Sequence, residues 1–165
     1  MNLAVISDTH GMLGLVRKGL LAIGEVDYLI HLGDNADDGI ELSKEFNIPL
    51  EYVRGNCDFA SKNDSEKIID IEGKKIFLTH GHKYYVKYEY DIILERGREL
   101  GVDAIFFGHT HIPMISRHHD ILLLNPGSPS LPRDGSRPTF AVAEVSKNDI
   151  KARLINLQEI KVAVR

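Results

Sequence analysis

The chain has no tryptophan and a single cysteine, Cys57, so no intrachain disulfide can form. A chain without such staples depends on its hydrophobic core, and 165 residues suffice to build one. That length fits one domain, expected over residues 1–165. A lone thiol suits a reducing compartment. No apolar stretch approaches the roughly 20 residues of a membrane helix. The opening Leu3–Ile6 run turns polar at Ser7-Asp8, too soon for a secretory leader. The expected location is therefore cytoplasmic. An excess of positive charge is also missing: the net charge is -4, which argues against a general nucleic-acid binder. Nucleic acid is expected only as a substrate in a local cleft. Repeats, linkers and low-complexity segments are absent as well.

What is present is a recurring design, in which a short apolar run ends in polar residues and glycine. Leu3–Ile6 leads into Ser7-Asp8-Thr9-His10-Gly11, and Tyr28–Leu32 into Gly33-Asp34-Asn35. Glu51–Val53 leads into Arg54-Gly55-Asn56-Cys57-Asp58, and Ile76–Leu78 into Thr79-His80-Gly81-His82. Ala104–Phe107 leads into Gly108-His109-Thr110-His111, and Ile121–Leu124 into Asn125-Pro126-Gly127-Ser128. Continuous apolar runs of this length read as strands buried on both faces. Helical spacing lies between them, over Leu13–Ile23, Asp38–Phe46 and Tyr90–Leu100. The alternation predicts crossover units and a largely parallel sheet. Antiparallel additions are expected from a hairpin of Ile68–Ile71 with Ile76–Leu78, joined by Glu72-Gly73-Lys74-Lys75. Thr139–Val145 and Ile150–Leu157 form a second such pair, around Lys147-Asn148-Asp149. Ser128–Pro138 reads as a loop and Lys161–Arg165 as a tail.

In open α/β sheets, ligands bind beyond the carboxyl ends of the strands. Five such ends carry Asp8, His10, Asp34, Asn56, His80, His109 and His111, a set of oxygen and nitrogen donors suited to metal. Asp8 and His10 are two residues apart, as are His109 and His111; in extended chain each pair points one way. Gly11, Gly33, Gly55, Gly81 and Gly108 accompany the five groups, allowing sharp turns and close approach. Any one pair would be an ordinary turn. The ordered set of five is what carries the chemistry.

Asp-x-His, Gly-Asp, Gly-Asn-x-Asp, His-Gly-His and Gly-His-Thr-His, in this order, resemble the calcineurin-like metallophosphoesterases. Compact size, Gly-Asn-Cys-Asp and the late Asn-Pro-Gly-Ser narrow the resemblance to the small YfcE-type phosphodiesterase branch, over Leu3 to about Leu157. It implies an α/β fold of two mixed β-sheets packed as a sandwich and flanked by helices. It also implies a cleft with two divalent metals. Asp8, His10 and His111 would hold one, Asn56, His80 and His109 the other, and Asp34 would bridge them. Manganese is the expected metal; nickel, cobalt, zinc and iron suit the same donors. Two divalent ions, two carboxylates and a bridging hydroxide leave one net positive charge, which a phosphodiester monoanion neutralises. The expected reaction is thus in-line attack by that hydroxide on a small or nucleotide-like phosphodiester. The alternative is a protein-interaction scaffold on the same fold, like the retromer subunit, which lacks the histidine that is His10 here.

Beyond the ligands, His82 is expected to touch the scissile phosphate or donate a proton, so Asp34, Asn56 and His82 form the expected catalytic group. Cys57 stands where many relatives carry a proton-donating histidine, and reads as a small packed residue. Asp58 reads either as a carboxylate orienting a ligand histidine or as a helix cap. Asn35, Asn125 and Ser128 are candidates to line the cleft. His31, within an apolar strand, reads as a satisfied core histidine. Arg54, Lys83, Arg133 and Arg137 are candidate phosphate contacts or ordinary surface charges. Tyr84, Tyr85, Tyr88 and Tyr90 read as core packing, with a substrate wall or a homo-oligomer contact as alternatives.

Overall fold

The computed structural model describes residues 1–160; the expected tail at Lys161–Arg165 lies outside the described residues. Two five-stranded sheets face each other. The first has the order β10-β9-β1-β2-β3, built from β1 (Asn2–Ile6), β2 (Tyr28–His31), β3 (Leu50–Tyr52), β9 (Thr139–Val145) and β10 (Ile150–Asn156). The second has the order β4-β5-β6-β8-β7, built from β4 (Glu66–Ile71), β5 (Lys74–Thr79), β6 (Ala104–Phe106), β7 (Met114–His118) and β8 (Ile121–Asn125). Three helices connect them: α1 (Gly14–Ile23), α2 (Ala36–Phe46) and α3 (Asp91–Leu100).

Strand alternation explains the layering. In β1, Leu3 and Val5 join a core between the sheets with Ile30, Leu32, Leu78, Phe106 and Leu124. Ala4 and Ile6 point the other way, into a second core with Val16 and Leu20 of α1 and Leu42 of α2. Across the sandwich, Phe77, Ile105 and Leu123 pack on Ile93 and Leu94 of α3. Strands buried on both faces are what the apolar runs require.

Both sheets are mixed, as the family resemblance implies, where strand and helix alternation alone suggests one largely parallel sheet. Four strand pairs are parallel, namely β1–β2, β2–β3, β5–β6 and β6–β8. Four are antiparallel, namely β1–β9, β9–β10, β4–β5 and β7–β8. Crossover helices account for three of the parallel pairs, while β6 and β8 are linked through β7; the runs alone do not say which strands share a sheet. The first hairpin is tighter than its sequence suggests: Ile71 pairs with Lys74, leaving only Glu72 and Gly73 in the turn, both at positive φ. That is the turn geometry that matches strand twist. β7 is the strand that apolar runs do not supply. Its exposed Ile115 and Arg117 alternate with half-buried neighbours, a period-two signal without a continuous run.

Candidate metal centre

The loops after β1, β2, β3, β5 and β6 meet at one end of the seam between the sheets. Asp8, His10, Asp34 and His111 each bring one ligating atom, and these atoms all lie within 4.8 Å of one another. His80 adjoins the group, with Nε2 3.4 Å from Asp34 Oδ1 and 3.8 Å from Asp8 Oδ1. The His109 ring centroid is 5.1 Å from that of His80, and the His82 ring is 5.5 Å from His80 on another side. Asn56 and His82 line one cavity beside the cluster, and Asn56 is exposed.

The convergence does not come from extended chain. Strand β1 has ended by Asp8, and Asp8 (φ 56), His10 (φ 46), His109 (φ 68) and His111 (φ 60) are all left-handed, as is Asp34 (φ 59). Non-glycine residues rarely adopt this region, and each costs on the order of 1–3 kcal/mol. The two-residue spacing therefore works through tight turns, not through strand alternation. Two glycines fit the carboxylates closely. A Cβ on Gly108 would come within 1.9 Å of Ser7 Oγ and 2.7 Å of Asp8 Oδ2, and one on Gly55 within 2.2 Å of Asp34 Oδ1.

Hydrogen bonds orient the donors. His80 Nδ1 gives its proton to Leu32 O at 2.7 Å, and His111 Nδ1 gives its own to Leu131 O at 2.7 Å. Each Nε2 is then a free lone pair aimed into the site. His111 Nε2 sits 3.1 Å from Asp8 Oδ1, and two acceptors so close need a cation or an added proton between them. Burial opposes that proton, but the Asp8 carboxylate outweighs burial and raises His111; Asp34 and Asp8 likewise raise His80. The Asp8 and Asp34 carboxyls are held below their ordinary range, burial being overcome by the facing histidines. Burial and the neighbouring His80 push His109 down to about 4, and the same two influences lower His82.

Among the described residues, four buried polar atoms have no hydrogen-bond partner: Asp8 Oδ1, His10 Nε2, His80 Nε2 and His82 Nδ1. Buried orphans of this kind are costly unless something fills the space between them. Three of the four belong to the expected metal ligands, and they are lone pairs of the oxygen and imidazole type that divalent metals take. The residues present therefore fit a metal.

Several expectations change. Asp58 does not orient a ligand histidine. Its carboxylate accepts four backbone N–H groups, from Asp34 (2.9 Å), Asn35 (2.8 Å), Ala36 (3.0 Å) and Gly55 (2.7 Å), which caps α2 and clamps the Asp34 turn. Cys57 is exposed, not packed. Its N–H donates to Asp34 Oδ1 at 2.8 Å, while burial and the adjacent carboxylate push its thiol up to about 11. Asn125 and Ser128 are buried behind the cleft instead of lining it. Asn125 Nδ2 donates to Gly108 O at 2.9 Å, and Ser128 Oγ to Asp8 O at 2.8 Å. Asn35 is exposed beside Gly11. Tyr84 and Tyr90 pack, whereas Tyr85 and Tyr88 are exposed.

His31 is a satisfied core histidine. Its Nδ1 accepts from Gly33 N–H at 3.1 Å, so Nε2 carries the proton and donates to Thr9 Oγ1 at 3.0 Å. Thr9 Oγ1 in turn donates to Asp38 Oδ2 at 2.6 Å, which also accepts Gly11 N–H at 2.8 Å. This chain braces the turn carrying Asp8 and His10. Thr9 and Asp38 were invisible in the sequence, one inside a ligand motif and the other inside a helical pattern.

Residues 1–148 match the family model of the calcineurin-like phosphoesterase superfamily domain. The chain is 35% identical over 156 residues to a probable metallophosphoesterase, YsnB, of Bacillus subtilis, covering 93% of this chain and 89% of that protein. It is 27% identical over 175 residues to the phosphodiesterase YfcE of Escherichia coli, covering 91% and 89%. Among solved structures, a predicted phosphoesterase from Streptococcus pneumoniae superposes with a TM-score of 0.80 at 26% identity, over 95% of this chain and 90% of that one. Vps29 of Entamoeba histolytica, solved in complex with zinc, shares the fold with a TM-score of 0.77 at 22% identity, over 95% and 99%. The chain thus belongs to the calcineurin-like phosphoesterase superfamily, a family of phosphoric ester hydrolases.

Proposed function

We propose that the protein is a single-domain, cytoplasmic two-metal phosphodiesterase acting on a small or nucleotide-like phosphodiester. One observation carries this reading: unpartnered donor atoms of Asp8, His10 and His80 converge around Asp34 and His111. Asp8, His10 and His111 would hold one divalent cation, Asn56, His80 and His109 a second, and Asp34 both. Manganese is the first candidate. Bound cations would neutralise phosphoryl oxygens and acidify water.

The chain's own groups do the rest. Asp34 stays ionised because its carboxyl lies below the ordinary range, and the Cys57 N–H fixes its orientation. Asn56 offers an exposed amide at the cleft mouth. His82 keeps a buried, unpartnered Nδ1 beside the His80 and His109 rings; burial and His80 favour its neutral form in the free protein, and a phosphoryl anion in the cleft would supply the negative charge that lets it hold a proton for a leaving oxygen. The Cys57 thiol, pushed up to about 11, stays protonated at neutral pH and is no nucleophile.

The test is hydrolysis, with manganese at one pH, of bis-p-nitrophenyl phosphate, p-nitrophenyl phosphate and a plain alkyl monophosphate. The aryl diester should give the highest kcat/KM, since a monoanion matches the site charge and a good leaving group needs less acid help. An alkyl monophosphate ranking first overturns the diesterase reading. The second reading, a scaffold, is favoured by the Vps29 likeness in fold. It predicts metal-independent partner binding and no turnover with any metal.

A further inference from the structure

A cavity of about 280 Å³ opens beside Asn56. Its walls are Arg54, Asn56, Phe59, Ser65, His82 and Lys83, with Gly55 and Asp58 behind them. Phe59 is 89% exposed, although it sits beside the site and not on a packing face. An exposed aromatic face at a cleft mouth offers a surface on which another ring can stack. Lys83 Nζ is tied only to Ser65 Oγ, at 2.7 Å, and neither Arg54 nor Lys83 has a carboxylate partner among the described residues. The one carboxylate in the wall, Asp58, already spends both oxygens on four backbone N–H groups. The cavity is therefore electropositive within an acidic chain, and it holds one free aromatic face.

The geometry points to this cavity as the subsite for one ester arm of the substrate, an arm that is a nucleoside. Its base stacks on Phe59, and Arg54 with Lys83 faces the phosphate monoanion to which the arm is joined. This rests on the phosphodiesterase reading and narrows it from any small diester to nucleotidyl ones. Base stacking on an aromatic side chain tolerates all bases, so selectivity is for the presence of a base and not its identity. The other arm remains unrestricted by this wall.

Two substrates separate the arm from the chemistry: the p-nitrophenyl ester of thymidine 5′-phosphate and methyl p-nitrophenyl phosphate. They share the leaving group and the monoanionic phosphate. Phe59→Ala should raise KM for the thymidine ester about tenfold and leave the methyl ester within about twofold. Equal effects on both esters, or none on either, overturn the subsite. A second readout avoids turnover: saturation-transfer NMR of adenosine 5′-phosphate with metal-stripped protein. Transfer to the base protons should be present in the parent chain, weaken with added salt, and disappear in Phe59→Ala. If the parent hydrolyses neither ester yet shows Phe59-dependent binding, the diesterase reading fails and the subsite stands. If hydrolysis is normal and Phe59→Ala changes neither readout, the subsite fails and the diesterase reading stands. With neither hydrolysis nor binding, both fall.

Discussion

The two ends of the cleft are built differently. At the closed end, Asp8, Asp34 and His111 are buried, and four donor atoms including that of His10 already converge within 4.8 Å. At the open end, Asn56 is exposed, His109 is half-buried, and only His80 is buried. The closed end is braced from behind: Ser128 and Ser130 donate to the Asp8 carbonyl, and Thr9, His31 and Asp38 hold the same turn. At the open end the backbone on either side of Asn56 is held, Gly55 N–H by Asp58 and Cys57 N–H by Asp34, but the Asn56 amide itself meets, among the described residues, only Cys57 Sγ at 3.5 Å. One end is a preformed cluster of donor atoms, and the other is open to solvent. A site that must bind metal and release product gains from this asymmetry, because preorganisation and access make opposite demands on burial.

The largest effect should come from the residue shared by both ends. Asp34→Asn should lower metal content at both sites and cut hydrolysis by at least about 100-fold. Elemental analysis of the purified protein reads the first and a diester assay the second. Two metals retained with normal turnover would break the ligand assignment. His10→Ala should instead cost the closed end alone, bringing the content from two ions toward one, whereas Asn56→Ala should spare the closed end. If both variants lose the same ion, the division between ends is wrong.

Bracing gives the next effect. Asp58→Ala strands four backbone N–H groups and should lower unfolding free energy by about 2–3 kcal/mol, read by urea denaturation of metal-stripped protein. Metal affinity should fall by roughly 10–100-fold as the Asp34 turn loosens. A stability unchanged from the parent would mean that water replaces the carboxylate at no cost.

The closed end also sets a pH dependence. His31 is buried and neutral, its folded value pushed from 6.5 down to about 4 chiefly by burial. Between those values the unfolded chain binds a proton that the folded chain refuses. The His31 contribution is therefore full above 6.5, falls as pH drops through that window, and levels off below about 4. Its own share should be about 3 kcal/mol, read as the difference between the parent and His31→Asn in chelator-treated protein by chemical denaturation at several pH values, because His109 and His82 add losses of the same sign and His80 and His111 oppose them. A difference that stays flat from pH 7 to 4 would show that the imidazole is solvated or protonated in the fold. Smallest of all, Cys57→Ala should keep activity within about threefold, because only the backbone of that residue holds Asp34 and its thiol stays protonated. A loss like that of a ligand variant would give Cys57 a chemical part.

Much of this was legible without coordinates, for physical reasons. Runs such as Leu3–Ile6 and Ile121–Leu124 bury both faces, so hydrophobicity alone marks them as interior strands. Ligand types at strand ends are visible because few other sites need aspartate, histidine and glycine in such density. What bracing surrounds them is not visible: Thr9 and Asp38 look like any threonine or first-turn acid until β1 and α2 are side by side. Phe59 likewise looks like a core residue until its loop turns it outward.

The sequence by itself determined the alternation of strands and helices, the donor atoms, and the family to which they belong. Those depend on local chemistry and on spacing along the chain. Only the tertiary structure decided which strands share each sheet and in what order, and that the paired ligands converge through left-handed turns and not through extended chain. It also decided that Asp58 clamps backbone and touches no histidine. These are contacts between segments far apart in sequence, set by which surfaces pack together, and no local pattern of residues encodes them.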